Sequence, residues 1–541
     1  MKKRTRAIAL CCAAVAVLAG CGGRQQEKNE LKESAIEVNK DVPSWKANEE
    51  SADLSWYINF DWFAQEWGND LATQYITEDT NVNVTYQSGT DDQLNAMLAS
   101  GDLPDIITID GASPLVREAE KFAIPLDELA AMYDPYFLEH AAKEEIVKFF
   151  TREDGHLYGY PNFSTTAQDY EEGGVYGNQG FLVREDIYEQ IGRPDMTTPE
   201  GFLGALQMVY ELDIKDGNGN SVVPFGITDF SEGNEQNGIF QRTLADFLGV
   251  PMLDDNKEFI DRRLDEDVTK WMKVITEARR EGYTDPDLIT MAGQDKDARI
   301  SNGVYFAYFS SDILSETDAL SLWTAENPDK VYVAVEGPKS SNGRERTLAA
   351  TGIEGWTQTF ITINCKDPQK AMELITYLVS EEGDTVMNYG REGETYEVVD
   401  GVPVMNADLL EFKQTDPGAF EKEVGLTTHL WLQDSSRLSR NMGGEQFPNA
   451  IRQAKEWSQE HIVPQMEMSS VESSLSREAN RNNSKIDQRW AQTVAAILNS
   501  TDNETIDREL EDFIKYRDEN GWDEIVKEYN TKIAENVQKL K

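Results

Sequence analysis

The sequence is short of cysteine, of histidine and of positive charge. Four cysteines occur in 541 residues, and Cys11, Cys12 and Cys21 fall in the first segment. Cys365 alone lies in the body, so neither a disulfide framework nor a cysteine-rich zinc site can be built. The four histidines, His140, His156, His429 and His461, are scattered. Lys and Arg number 51 against 98 Asp and Glu, a formal net charge of −47. That balance argues against nucleic-acid binding, which needs clustered cations to neutralise phosphates. It argues equally against a peripheral grip on anionic lipid. No apolar run is long enough to span a bilayer. Disorder is not the reason, because 39% hydrophobic and 10% aromatic residues can bury a large core. The length suits about two to four domains or lobes.

What is present begins with an address. Lys2, Lys3, Arg4 and Arg6 precede an apolar run from Ala7 to Leu18, the pattern of a secretory signal. The run ends Leu18-Ala19-Gly20-Cys21, which resembles the bacterial lipobox. That resemblance implies cleavage before Cys21 and its thioether lipidation and acylation; an uncleaved signal anchor is the alternative. Several acyl chains hold where one binds only marginally. Residues 1–20 carry four positive side chains and no negative one, so their removal takes −47 to −51. Residues 21–51 are polar and read as a flexible tether with a reach of about 30 Å.

The body alternates short strands with amphipathic helices, an α/β pattern. Residues 53–59 read as a strand, and Val82, Val84 and Tyr86 alternate as in a half-buried one. Residues 91–99 form a helix, with Leu94, Met97 and Leu98 on one face and Gly101 past its end. A short buried strand, 106–109, ends at Asp110-Gly111. Thr198-Pro199 and Asp367-Pro368 open two further helices. Near the end, Trp490, Val494 and Ile497 make one apolar stripe, and Leu510, Phe513 and Ile514 another. Ligands of open α/β sheets sit beyond the carboxyl ends of strands. Residues 60–62, 89–91 and 110–112 are therefore candidate ligand-side loops.

Four segments carry a resemblance. Residues 95–105 read NAMLASGDLPD; residues 180–186 read GFLVRED, with Ile191-Gly192 and Pro199-Glu200 behind them. Residues 390–396 read GREGETY before Asp400-Gly401, and residues 521–524 read GWDE before Tyr529-Asn530. In this order, behind a lipobox, they resemble family 1 extracellular solute-binding proteins of ABC importers, in the lipoprotein-A-like branch. The likeness runs from about residue 53 to 533. It implies a two-lobed periplasmic-binding-protein-like fold, each lobe a sheet flanked by helices, joined by crossing hinge strands. Lobe one is expected over 52–165 and 330–390, a hinge crossing over 166–180, and lobe two over 181–325 and 400–541.

The resemblance also implies an oligosaccharide ligand, ABC permease partners, a monomer and a place on the outer face of the cell membrane. Sugars need flat apolar faces and paired polar groups. Trp62, Tyr176, Trp356 and Trp431 are candidate platforms, each alternatively a core aromatic. Asp110 is a candidate acceptor or a turn residue. Arg391 is a candidate bidentate donor or the partner of Glu392 or Glu394. Asp216, Asn218 and Asn220 resemble the start of a calcium loop. The terminal carboxylate is missing, so a hairpin turn is the preferred reading and no cofactor is expected. No G-x-S-x-G, Walker or H-E-x-x-H motif occurs. An enzyme is not expected, although a glycosidase needs only two carboxylates. A surface glycosidase, a ligand-sensing lipoprotein and a peptide importer remain the alternatives. The negative field favours a neutral over an anionic sugar.

Overall fold

The computed structural model describes residues 31–541, apart from 174, 228–241, 289–292, 314, 351, 400, 435 and 438–448. The signal segment, Cys21 and residues 21–30 of the expected tether lie outside the described residues.

Two sheets organise the chain. The first has the order β2-β1-β3-β9-β4, from β1 (Ala52–Ile58), β2 (Val82–Ser88), β3 (Ile106–Asp110), β4 (Gly159–Pro161) and β9 (Thr357–Ile361). β1 runs parallel to β2 and β3, whereas β9 runs antiparallel to both β3 and β4. The second sheet has the order β6-β7-β5-β8, from β5 (Gly180–Arg184), β6 (Val223–Ile227), β7 (Tyr305–Ser310) and β8 (Tyr332–Ala334). β5 pairs antiparallel with both β7 and β8. Buried side chains cover both faces of each sheet: Trp56, Ile58 and Ile361 against Tyr57, Ile107 and Phe360 in the first, Phe181 and Phe309 against Leu182 and Tyr308 in the second. Strands buried on both faces read as continuous apolar runs, and Ile106, Ile107 and Ile109 of β3 do so.

The helix signals act as the sequence reading has them. The Thr90 hydroxyl and the Gln93 side chain form a capping box for helix Asp91–Ser100, and Gly101 ends it at φ +74°. Thr198 accepts from Gly201 N–H at the start of Pro199–Leu212, and Asp367 from Lys370 N–H at the start of Pro368–Val379. Helices Arg477–Leu498 and Asn503–Glu519 bury Trp490, Val494, Ile497, Leu510 and Phe513, but Ile514 of the expected stripe is exposed.

Three expected boundaries move. β8 belongs to the second sheet because it pairs with the crossing strand β5, and Leu348 packs in the second core. The return to the first core comes at Ile353, not at 330. Met405, Phe420, Val424 and Leu426 pack on Ala72, and Trp431 and Leu432 lie in the first core, so this stretch covers lobe one and not lobe two. Residues 31–50 are a strap and not a tether. Trp45 is buried edge-on to Tyr136 and Tyr377, at 5.8 and 5.4 Å between ring centres. Ser44 N–H donates to Asp134 (3.1 Å), and Asn48 Nδ2 to Glu373 (2.8 Å).

Candidate functional site

Two connections join one edge of the first sheet to one edge of the second. The chain leaves β4 at Pro161 and enters β5 at Gly180; it leaves β8 at Ala334 and enters β9 at Thr357. Both connections join the edge where β1 and β3 end to the edge where β5 begins. One bond ties the two crossing segments together, from Thr165 N–H to Gly352 O (3.0 Å), and Phe163 N–H ties the first of them to Gln433 O (2.7 Å). A third tie links Glu354 to Ser470, whose N–H and hydroxyl both donate to its carboxylate, the latter at 3.0 Å. Burial first, with nearby Asp110 adding, raises the Glu354 carboxyl above its ordinary range.

On the first edge five aromatic rings converge. Phe60 and Trp62 follow β1, Trp356 immediately precedes β9, and Trp431 closes the group from below. Trp62 and Trp356 lie nearly parallel, 12° apart in plane and 6.1 Å between ring centres. Phe60 stacks on Trp431 at 5.7 Å and 8°, and sits 5.0 Å from Trp356. Phe63 meets Trp431 edge-on at 4.9 Å. The exposures divide the labour: Trp431 is 1% exposed and Trp62 58%. Trp431 is thus a floor, and Trp62 an exposed apolar face held on a packed base. Around them Asn59 Oδ1, Thr357 Oγ1 and Trp431 Nε1 are buried without a protein hydrogen-bond partner. Buried polar groups are normally paired, so these atoms are suited to ordered water.

The loop after β3 completes this edge. Asp110 pairs in register with Thr357, beside Trp356, and Gly111 N–H donates to Trp356 O (2.8 Å). A Cβ at Gly111 would lie 3.1 Å from that oxygen, which explains the glycine. One Asp110 carboxylate oxygen accepts from Ala112 N–H (2.7 Å), the geometry of a turn residue.

A second tier supports the platform. Phe63 is edge-on to Tyr86 at 5.1 Å, and Tyr86 stacks on His429 at 5.9 Å and 9°. His429 Nε2 lies 3.1 Å from Asp70, the cap of helix Leu71–Thr80. Burial, then the charge of Asp70, pushes the Tyr86 phenol well up.

Of the six candidate ligand residues, Trp62, Trp356 and Trp431 come together, with Asp110 beside them. Tyr176 is on the opposite edge, half-buried, 5.9 Å from the ammonium of Lys455. Arg391 is not brought to the groove. Its guanidinium donates to Glu78 and Asp79, both at 2.7 Å, and stacks 4.3 Å over Tyr75. Glu78 and Asp79 end helix Leu71–Thr80, next to the start of β2, so Arg391 is at the far edge of the sheet. There it lines a cavity of about 560 Å³ with Trp45, Tyr136 and Tyr396. Its partners are distant in sequence, not the neighbouring Glu392 or Glu394. Phe60 lay inside a loop singled out by position, and Phe63 just outside it; the F-x-W-F spacing after a strand is the signal for both.

The stretch Asp216, Asn218 and Asn220 forms a turn between the bridged residues Lys215 and Ser221. One Asp216 oxygen accepts from Asn218 N–H and from Asn220 N–H, each at 2.8 Å. Among the described residues no group of three or more His, Cys, Asp or Glu could hold a metal ion. No helix among them is long and apolar enough to cross a membrane.

Two sheets joined by crossing segments, with an aromatic platform at the joined edge, define a two-lobed binding protein. The chain matches the family model described as bacterial extracellular solute-binding protein over residues 65–385, and it belongs to that family. It is similar to a fructooligosaccharide ABC transporter substrate-binding protein, FusA, of Streptococcus pneumoniae. The two are 27% identical over 269 residues, 46% of this chain and 48% of FusA. It also resembles the polygalacturonan/rhamnogalacturonan-binding protein YtcQ of Bacillus subtilis, 23% identical over 73% of this chain and 74% of YtcQ. The match thus spans about half of the first relative and three quarters of the second. Among solved structures, alginate-binding protein AlgQ2 without calcium superposes with a TM-score of 0.63 at 16% identity, covering 91% of this chain and all of AlgQ2. An extracellular solute-binding protein from Bifidobacterium longum subsp. infantis gives 0.65 at 15%, covering 90% and 98%. These superpositions bear on the fold alone.

Proposed function

We propose that the protein is a lipid-anchored substrate-binding protein that captures an oligosaccharide in the groove between its lobes and delivers it to the permease of an ABC importer. One observation carries the reading: an exposed Trp62 nearly parallel to a half-buried Trp356, on a buried aromatic base at the edge where the crossing segments leave the first sheet. Sugar C–H faces bind such surfaces, and nearby polar atoms fix orientation. The glycan partners named for FusA and YtcQ support a carbohydrate ligand. The charge of −47 favours a neutral sugar over a uronate. The lipid anchor rests on the Leu18-Ala19-Gly20-Cys21 sequence. In this reading the protein is a monomer, needs no cofactor and binds without turnover. A calorimetric screen of neutral and acidic oligosaccharides tests it. Saturable binding with intact sugar recovered is expected; release of shorter sugars would replace the reading with a glycosidase.

A further inference from the structure

Helix Asn449–Gln459 packs on β8 and on the crossing segment that enters β5. Gln453 fixes the helix: its side chain accepts from Ala334 N–H (2.8 Å) and donates to Ala334 O (3.0 Å), pairing the outer edge of β8. Five residues on, Ser458 meets the crossing chain at Gly177. A Cβ there would fall 1.8 Å from Ser458 Oγ, so only glycine lets the segment lie flush. Lys455 stands between these two fixed points. It is 5% exposed, with its ammonium 5.9 Å from the centre of the Tyr176 ring.

Two carboxylates act on this pair. Asp312, just past the end of β7, acts on Lys455. Glu456 acts on the Tyr176 phenol, which burial first and Glu456 second raise. A desolvated ammonium near an aromatic ring is attracted to its face. The same desolvation disfavours the charge: burial lowers the Lys455 ammonium to about 8, against the opposing pull of Asp312.

We propose that Lys455 is a positioning residue of the ligand groove: its ammonium holds the Tyr176 ring on the crossing segment that enters β5, so that ligand affinity depends on the Lys455 charge. The inference rests on the oligosaccharide-binding reading. Its sign is fixed: the charged form grips, so the contribution is present below pH 8 and is lost as pH rises through it. Lys455→Arg keeps the charge, and Lys455→Met removes it at every pH.

The experiment has two readouts, with melting temperatures confirming that each variant folds. The first is calorimetric affinity for the tightest oligosaccharide of the screen, from pH 6.5 to 9. The wild type should weaken about threefold to tenfold through pH 8. Lys455→Met should be flat at the weak value, and Lys455→Arg flat near the strong one. The second readout needs no ligand: hydrogen exchange of residues 175–178, corrected for intrinsic rates. Protection should fall through pH 8 in the wild type and hold in Lys455→Arg. A flat wild-type profile, or Lys455→Met with wild-type affinity and slope, overturns the proposal while the glycan reading stands. Failure of every sugar to bind at any pH overturns the glycan reading and the proposal with it.

Discussion

Trp62 and Trp431 are both tryptophans of one cluster, yet burial gives them different jobs. Trp62 is 58% exposed, so truncation to alanine removes a contact face and little core. Trp62→Ala should weaken oligosaccharide binding by roughly ten- to thirtyfold, as loss of an aromatic anchor does, with an unchanged melting temperature. Calorimetric titration and scanning calorimetry check the two halves of that statement. Trp431 is 1% exposed and in contact with Phe60 and Phe63. Trp431→Ala should cost about 3–5 kcal/mol of stability in urea unfolding, because it leaves a cavity in the first core. The position of Trp62 just past a strand was legible in the sequence. The role of Trp431 as floor was not, since its contacts cross some 370 residues of chain. Arg391 misleads for the same reason: neighbouring glutamates were visible, but the partners Glu78 and Asp79 are more than 300 residues away.

Among elements, the 31–50 strap most changes the picture drawn from composition. A polar stretch reads as a tether, whereas buried Trp45 and the hydrogen bonds of Ser44 and Asn48 show that it is docked. Trp45→Ala should destabilise lobe one by about 3–5 kcal/mol in urea unfolding, whereas a true tether would show no change. The strap also brings in a titrating group. Asp134 accepts from Ser44 N–H, and burial raises its carboxyl from 3.8 to about 6. A raised carboxyl binds its proton more tightly in the folded state. Its contribution is therefore fully present below about pH 4 and is lost as pH rises through 6. Roughly 3 kcal/mol of stability is at stake. Asp134→Asn keeps an acceptor for Ser44 without the charge, so its unfolding free energy should lack that loss between pH 4 and 7. Denaturant titrations of both proteins across that range are the check. Caps and strands were legible throughout, because Thr-Pro, Asp-Pro and period-two alternation are local signals. Segment membership was not, because β8 and residues 405–432 are assigned by which sheet they meet and not by their own composition.

At the scale of the whole molecule, the excess of acid sets a long-range field. A uronate oligomer should bind more weakly than a neutral oligosaccharide of equal length at low salt, with the gap narrowing as salt screens the field. A neutral ligand's affinity should stay constant over the same titration. The two-lobed plan followed from the family likeness and the α/β alternation; the joined edges became visible only once the crossings were traced from β4 to β5 and from β8 to β9. In the proposed function the Trp62–Trp356 platform receives a sugar between the lobes. Calorimetric titration of wild type and a Trp62→Ala, Trp356→Ala double variant with a neutral oligosaccharide series tests it most directly. Saturable, one-to-one binding by the wild type and loss of that binding in a folded double variant are expected. Binding of equal strength in both proteins, or none by the wild type across the series, would contradict it.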